Sequence, residues 1–150
     1  MPTFTSNLAS RQGKVGAAGL VDPTLYQAKV RYAQATVVVP AILAANDILE
    51  LAVLPAGAQV VPSLSQAVCH ADPGGSLRLN IGTAAAASAF GSGLNLDAGG
   101  IVGFAAAGIP TQTTSRGKLA EDTMVTATVT TATTITANST ITFLIAYFVG

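Results

Sequence analysis

The most reactive side chains in this sequence of 150 residues are its one cysteine and its one histidine, and they are neighbours, Cys69 and His70. A thiol that acts as a nucleophile needs a base within hydrogen-bonding reach. The surrounding segment has the pattern of a β-strand, in which adjacent residues point to opposite faces. We therefore expect Cys69 to be a small core hydrophobe and His70 to end a strand before the Asp72-Pro73 turn, with no catalytic role for the pair.

The sequence also predicts neither a metal-binding site nor a phosphate-binding loop. Zinc requires three or four nitrogen or sulfur ligands, more than one Cys and one His supply. Glu121 and Asp122 are the only adjacent acidic residues, and we interpret them as an exposed turn before a strand. Gly91-Ser92-Gly93 is not followed by the helix that a phosphate-binding loop requires. We expect no enzyme activity, no catalytic residue, no metal, no cofactor and no small-molecule substrate.

Charged residues are scarce, and this scarcity limits the possible partners. They make up 9% of the chain, against a usual share of about 25%, while 50% of the residues are hydrophobic. The formal net charge is zero, so the general attraction to phosphate on which nucleic-acid binders rely is missing. The apolar runs are too short for a membrane helix. We expect neither a nucleic-acid nor a membrane partner, and we expect apolar surface to be hidden against other protein subunits.

Short strands separated by Gly, Pro and Asn turns predict an all-β fold, an antiparallel β-sandwich or jelly roll. Proline lacks the N–H of a strand ladder, so Pro62 predicts that its strand is an edge, bulged or broken. Segment 83–89 has the propensity for a short helix, and a long loop is expected from 91 to 116 with one short strand inside it. Both faces of the last strand are apolar, which predicts a central or covered position. The predicted strands are 27–38, 48–54, 58–70, 76–83, 101–107, 124–131 and 140–149.

The first part of the chain has a different pattern from the rest. Residues 1–22 sustain neither helical nor strand periodicity, so we predict an extended N-terminal arm before a β-sandwich domain at 23–150. The arm carries spaced apolar residues and early basic residues that are suited to lie on a neighbouring subunit. The candidate partner-binding residues are Phe4, Leu8, Arg11, Lys14, Val15 and Leu20.

A particular order of short motifs runs through the chain. An Asp-containing strand at 46–51 leads to a Leu-Pro-Ala-Gly-Ala turn at 54–58, a run Ser-Leu-Arg-Leu-Asn-Ile-Gly follows at 76–82, and a Thr/Val strand precedes the apolar strand 141–149. Over residues 27–150 this order resembles the capsid decoration proteins of tailed bacteriophages, also called cement or head-stabilising proteins. The resemblance implies a jelly-roll-like sandwich, often trimeric, that sits between major capsid subunits and stabilises the expanded shell.

The function implied by the resemblance is structural. The chain would bind the outside of a bacteriophage head, cement neighbouring major capsid subunits and lie on the capsid surface of the virion after synthesis in the host cytoplasm. Its partners would be the major capsid protein and further copies of itself, with a trimer expected.

Two alternatives stay open at this point. One is a tail, neck or head-fibre component of a phage virion, which would be present in few copies. The other is a carbohydrate-binding β-sandwich module, which needs aromatic platforms. The chain contains three tyrosines and no tryptophan.

Removing residues 1–20 is expected to leave the β domain folded, because the arm lacks the periodicity of a core segment, and to weaken incorporation into the particle. Circular dichroism checks the fold, and a particle-binding assay checks incorporation. A truncated chain that binds particles with wild-type affinity would contradict the docking role of the arm.

Overall fold

The structure, a computed structural model, describes residues 29–39, 41–70, 72–73, 75–105, 118–131, 133–136 and 139–150. The predicted arm and the start of the predicted domain lie outside these ranges. One short 3-10 helix, Pro62–Leu64, interrupts the strands of the described part. The strands are β1 (Arg31–Val39), β2 (Ile42–Leu43), β3 (Ile48–Leu54), β4 (Ala58–Val60), β5 (Gln66–Cys69), β6 (Arg78–Gly82), β7 (Gly91–Asn95), β8 (Gly100–Gly103), β9 (Thr123–Val129), β10 (Thr133–Thr134) and β11 (Ser139–Val149).

The strands form two antiparallel sheets that face each other. In the first sheet the order is β1-β11-β5-β8, and β4 pairs with β11 beside β5. In the second sheet the order is β3-β9-β6-β7, and β2 and β10 form a separate two-stranded ribbon. Strand β1 lies against β3 at one side of the sandwich, and β7 meets β8 at the other. The predicted all-β sandwich is confirmed.

Alternation along the strands places the core between the two sheets. In β11 the residues Ile141, Phe143 and Ile145 are fully buried, as are Val125 and Ala127 of β9 in the opposing sheet. Burying one large apolar side chain contributes about 1.5–3 kcal/mol. The period-2 pattern of the sequence therefore determines which face of each sheet points inward.

The last strand is central, as predicted. The whole length of β1 pairs with one edge of β11, from Arg31 opposite Tyr147 to Val39 opposite Ser139. Its other edge pairs with β5 and then with β4.

The predicted helix at 83–89 is wrong. The segment forms successive tight turns, in which the N–H of Ala86 meets both the carbonyl and the hydroxyl oxygen of Thr83. The N–H of Phe90 donates to the Ile81 carbonyl at 2.9 Å and fixes the two ends of the segment at the spacing of a hairpin. A helix this short has little stability of its own, so this closure outweighs the propensity of alanine.

The segment Gly91–Asn95, expected as loop, is strand β7. Its glycines do not end the strand, because they belong to an irregular pairing with β6 whose register shifts between Leu79 and Ile81. Gly93 has a positive φ of 59° and donates its N–H to the Asn80 side chain at 2.8 Å. A side chain at Gly91 would lie 2.9 Å from Leu94 and 3.1 Å from the Phe104 carbonyl. These glycines therefore serve a bulge and a close approach of two segments.

Of the three alternatives predicted for the strand with Pro62, an edge, a bulge or a break, the structure shows the break. Pro62 begins the 3-10 helix, so its missing N–H removes no ladder bond, and β5 lies inside the sheet between β11 and β8. Because of this break, the N–H of Ala146 in β11 faces the 3-10 helix and has no backbone acceptor from a neighbouring strand. Ser65 fills this gap: its hydroxyl accepts the N–H of Ala146 at 2.9 Å and donates to the Val61 carbonyl at 2.8 Å.

Replacing Ser65 with Ala is expected to lower the free energy of unfolding by about 1–3 kcal/mol, because it leaves the buried N–H of Ala146 without an acceptor. Urea denaturation measures the change. Ser63→Ala is the matched control: Ser63 is exposed in the same 3-10 helix, and its replacement should change stability by less than about 0.5 kcal/mol. Equal stability of the two variants would contradict the bridging role of Ser65.

Candidate interaction surface

The first sheet is almost free of charge. Arg31, at the start of β1, is the only Asp, Glu, Lys or Arg in its five strands. Lys118 bridges to Gln59 at the free side of β4, and the remaining charged side chains in the described part of the chain lie in turns, in β3 or β6, or just before β1. Because an uncharged surface loses little hydration energy when it is covered, this sheet is suited to contact another protein.

The outer face of the first sheet consists of the side chains that point away from the core, and it is apolar with interspersed hydroxyl and amide groups. Pairing places Thr36, Thr142, Val68 and Ile101 in one row across the four strands. Ile101 is 67% exposed, the highest exposure of any large hydrophobic residue in these strands. The outer face comprises Tyr32, Gln34, Thr36, Val38, Gln59, Gln66, Val68, Ile101, Thr140, Thr142, Leu144, Ala146 and Phe148, and Lys118 lies opposite Gln59 at its β4 end.

A short chain of hydrogen bonds crosses this face. The Thr142 hydroxyl lies 3.2 Å from the hydroxyl of Thr36 and 2.9 Å from Nε2 of His70. Thr142 is only 8% exposed, whereas His70 is exposed at the end of β5. These contacts join β1, β11 and the end of β5 across the outer face.

The predicted separation of Cys69 from His70 is confirmed. Cys69 is 2% exposed and belongs to the core, whereas His70 projects to the outer face and bonds to Thr142. The geometry therefore does not form the thiol–imidazole pair that nucleophilic catalysis requires.

The predicted interpretation of Glu121 and Asp122 is also confirmed, since both are exposed directly before β9. The Asp122 carboxylate accepts the N–H of Ala56 at 2.9 Å and so supports the Pro55-Ala56-Gly57 turn. Within the described ranges, no group of three or more His, Cys, Asp and Glu side chains is arranged to hold a metal ion. No helix there has the length and apolarity needed to span a membrane.

Unlike the outer face of the first sheet, that of the second sheet carries several charged side chains and is partly buried under the chain's own turns. It carries Glu50 and an ion pair of 3.0 Å between Arg78 and Asp97. The turns after β6 lie directly on Gly82, where an added Cβ would overlap the carbonyl oxygen of Ala86. Thr126, which pairs with Gly82 on this face, is only 8% exposed. The chain itself therefore covers part of the second sheet.

The sequence-predicted partner contacts are not tested by this geometry. Phe4, Leu8, Arg11, Lys14, Val15 and Leu20 all lie outside the described residues. Sequence reasoning did not single out the outer face of the first sheet. The available signal was the run from 32 to 39, in which no residue is charged.

Comparison with known proteins gives a match at the level of fold. The sequence matches no protein-family model and no curated protein. The structure is similar to a chain from the capsid asymmetric unit of cyanophage Pam1, with a TM-score of 0.61, 17% identity and coverage of 100% of both chains. It is also similar to a chain from the capsid of Ralstonia phage GP4, with a TM-score of 0.60, 21% identity and coverage of 81% of this chain and 85% of that chain. At these identities the likeness shows a shared fold.

Proposed function

We propose that this chain is a structural virion protein that binds the outside of a bacteriophage head and cements neighbouring major capsid subunits. The observation that carries the proposal is the similarity of fold, over the full length of both chains, to a chain of the Pam1 capsid asymmetric unit. The similarity to a chain of the GP4 capsid supports it. The motif order of the sequence supports the same class of protein independently of the fold.

The mechanism in this proposal is burial of surface between subunits. Across β1, β11, β5 and β8 the outer face of the first sheet supplies a surface without Asp, Glu, Lys or Arg and with exposed apolar side chains, among them Tyr32 and Ile101. Covering apolar area contributes about 25 cal/mol per Å² before the costs of association are subtracted. No reaction is assigned to the chain, because cementing needs only contacts that are made after the shell has reached its final form.

Two kinds of partner follow from the proposal. The first is the major capsid protein, contacted by the outer face of the first sheet and by the six candidate residues of the arm. The second is the chain itself, as a homo-oligomer, with a trimer suited to the threefold positions of an icosahedral shell. The role of a tail, neck or head-fibre component is the alternative that copy number distinguishes.

The number of copies per particle tests the proposal directly. Hundreds of copies are expected in each virion, spread over the head, because every group of neighbouring capsid subunits offers a binding position. Quantitative mass spectrometry of purified particles measures the ratio of this chain to the major capsid protein. A few copies, located at one vertex, would contradict cementing and indicate the tail or neck.

A matched pair of substitutions tests which face binds the head. Ile101 on the outer face of the first sheet is 67% exposed, and Ile48 of β3 in the second sheet is 62% exposed. Both Lys variants should fold, because surface substitutions change stability by only about 0.5 kcal/mol. Binding to heads that lack this chain should weaken at least about tenfold for Ile101→Lys and stay near the wild-type value for Ile48→Lys, since a desolvated Lys costs more than 1.4 kcal/mol. Equal binding by the two variants would contradict the assignment of the face.

A further inference from the structure

In the described chain the two sheets have five edge strands. One of them, β4, bridges to Lys118 on the side away from β11. Of the other four, three carry features that discourage pairing with another chain. Strand β3 has a register shift between Glu50 and Ala52 and carries the charge of Glu50. Strand β7 pairs irregularly and contains two glycines. Strand β8 has only four residues and begins and ends with glycine. Bulges, charges and short length are the means by which proteins keep sheet edges from adding further strands.

Strand β1 lacks all of these features. It has nine residues, pairs with β11 without a register shift, and contains neither glycine nor proline. Its only charge is Arg31, at the first position. A long and regular edge with a single charge at its first position is a ready template for another strand.

The direction of the backbone groups shows which residues of β1 form this open edge. The N–H of His70 donates to the Thr140 carbonyl, and Ala146 accepts from the N–H of Val61 while it donates to Ser65. The even-numbered residues of β11 therefore use their backbone groups on the side of β4 and β5. The ladder of an antiparallel pair alternates, so the odd-numbered residues of β11 bond to β1.

The same alternation applies to β1. Residues of β1 with odd numbers are opposite odd-numbered residues of β11, for example Ala35 opposite Phe143. The N–H and C=O groups of the even-numbered residues consequently point away from β11. No other strand of the described chain pairs along this side of β1. The open edge is formed by the backbone of Tyr32, Gln34, Thr36 and Val38.

We propose that this edge pairs with β1 of a second copy of the chain, antiparallel, about a twofold axis at Ala35. In this register Arg31 is opposite Val39 of the other copy, so all nine residues overlap. Tyr32 is then opposite Val38, and Gln34 is opposite Thr36. These are the residues whose N–H and C=O groups are directed outward, and each pair can exchange two backbone hydrogen bonds.

We assign the pairing strand to a second copy of the chain because, in the twofold register, the side chains and backbone groups of one β1 edge match those of an identical edge. Tyr32 and Val38 are 58% and 60% exposed, and the twofold register makes them a cross-strand pair of an aromatic and a β-branched side chain, a favourable combination in sheets. In this register each Arg31 lies opposite Val39 of the other copy, so the two Arg31 side chains are at opposite ends of the strand pair and do not repel each other closely. The contact is closed, since the same patch is used by both copies.

The inference does not depend on the proposed function. Pairing of β1 joins the first sheets of two copies into one continuous sheet. If copies also associate as trimers through other surfaces, β1 pairing links two such trimers. Its tests use the isolated full chain and no phage head, so their failure is distinguishable from failure to bind heads.

Engineered disulfides test the register. In the proposed pair the double variant Gln34→Cys, Thr36→Cys places each new cysteine opposite the other kind in the second copy, with Cα atoms about 5.5 Å apart, within the range a disulfide accepts. Mild oxidation should convert most of the protein to a covalent dimer on a non-reducing gel. The single variants are the controls, because their cysteines lie diagonally, about 7–8 Å apart. Absence of cross-linking in the double variant, or equal cross-linking in the singles, overturns the proposed register.

Loss of the outward N–H tests the hydrogen bonding. Gln34→Pro removes a donor at the open edge and none of the bonds to β11, and proline is tolerated on an edge strand when its nitrogen faces away from the ladder. Gln34→Ala is the control, because it removes the side chain and keeps the N–H. Mass photometry should give the Pro variant half the mass of the wild type and of the Ala variant. Equal masses in folded variants overturn pairing between copies.

Discussion

The structure depends on β11 having a partner on both of its edges. Its eleven residues carry the whole of β1 on one side and, in succession, β5 and β4 on the other. One of its faces supplies Ile141, Phe143 and Ile145 to the core. A strand in this position needs apolar side chains in both directions, and the sequence of 141–149 provides them.

Two strands share one edge of β11 because the chain turns away from it at Pro62. The 3-10 helix separates β4 from β5, and Ser65 replaces the backbone acceptor that a continuous strand would have offered to Ala146. The carbonyl of Ser65 also accepts the N–H of Phe104, a fully buried residue just after β8. One residue therefore connects the central strand, the break and the next segment of the chain. The outer face of the first sheet stays regular on either side of this junction.

The sequence was sufficient to predict the strands with the clearest alternation and the central position of β11. The class of fold followed from these strands, because short β segments with Gly, Pro and Asn turns bury their apolar residues by stacking two sheets. The errors arose where tertiary contacts outweigh local preference. The alanines of 83–89 suggested a helix where the chain forms turns that pack on Gly82, and Gly91 and Gly93 suggested a loop where the chain forms β7. The candidate surface was harder to predict. Nothing in the local sequence marks Tyr32 or Ile101 as exposed, because only the strand pairing shows on which face of the sheet each side chain lies. The separation of Cys69 from His70 was easier to predict, since side chains at adjacent positions of a strand point to opposite faces of the sheet.

The pairing of β1 with β11 also has a consequence during protein synthesis. The contact between Thr36 and Thr142 spans 106 residues, so β1 leaves the ribosome well before its partner strand β11 has been made. At about 5–20 residues per second this delay is on the order of ten seconds. During that time both edges of a nine-residue strand with a single charge are open, and pairing with nascent chains on the same message competes with correct folding. The yield of native protein should therefore depend on how densely ribosomes are loaded on the messenger RNA.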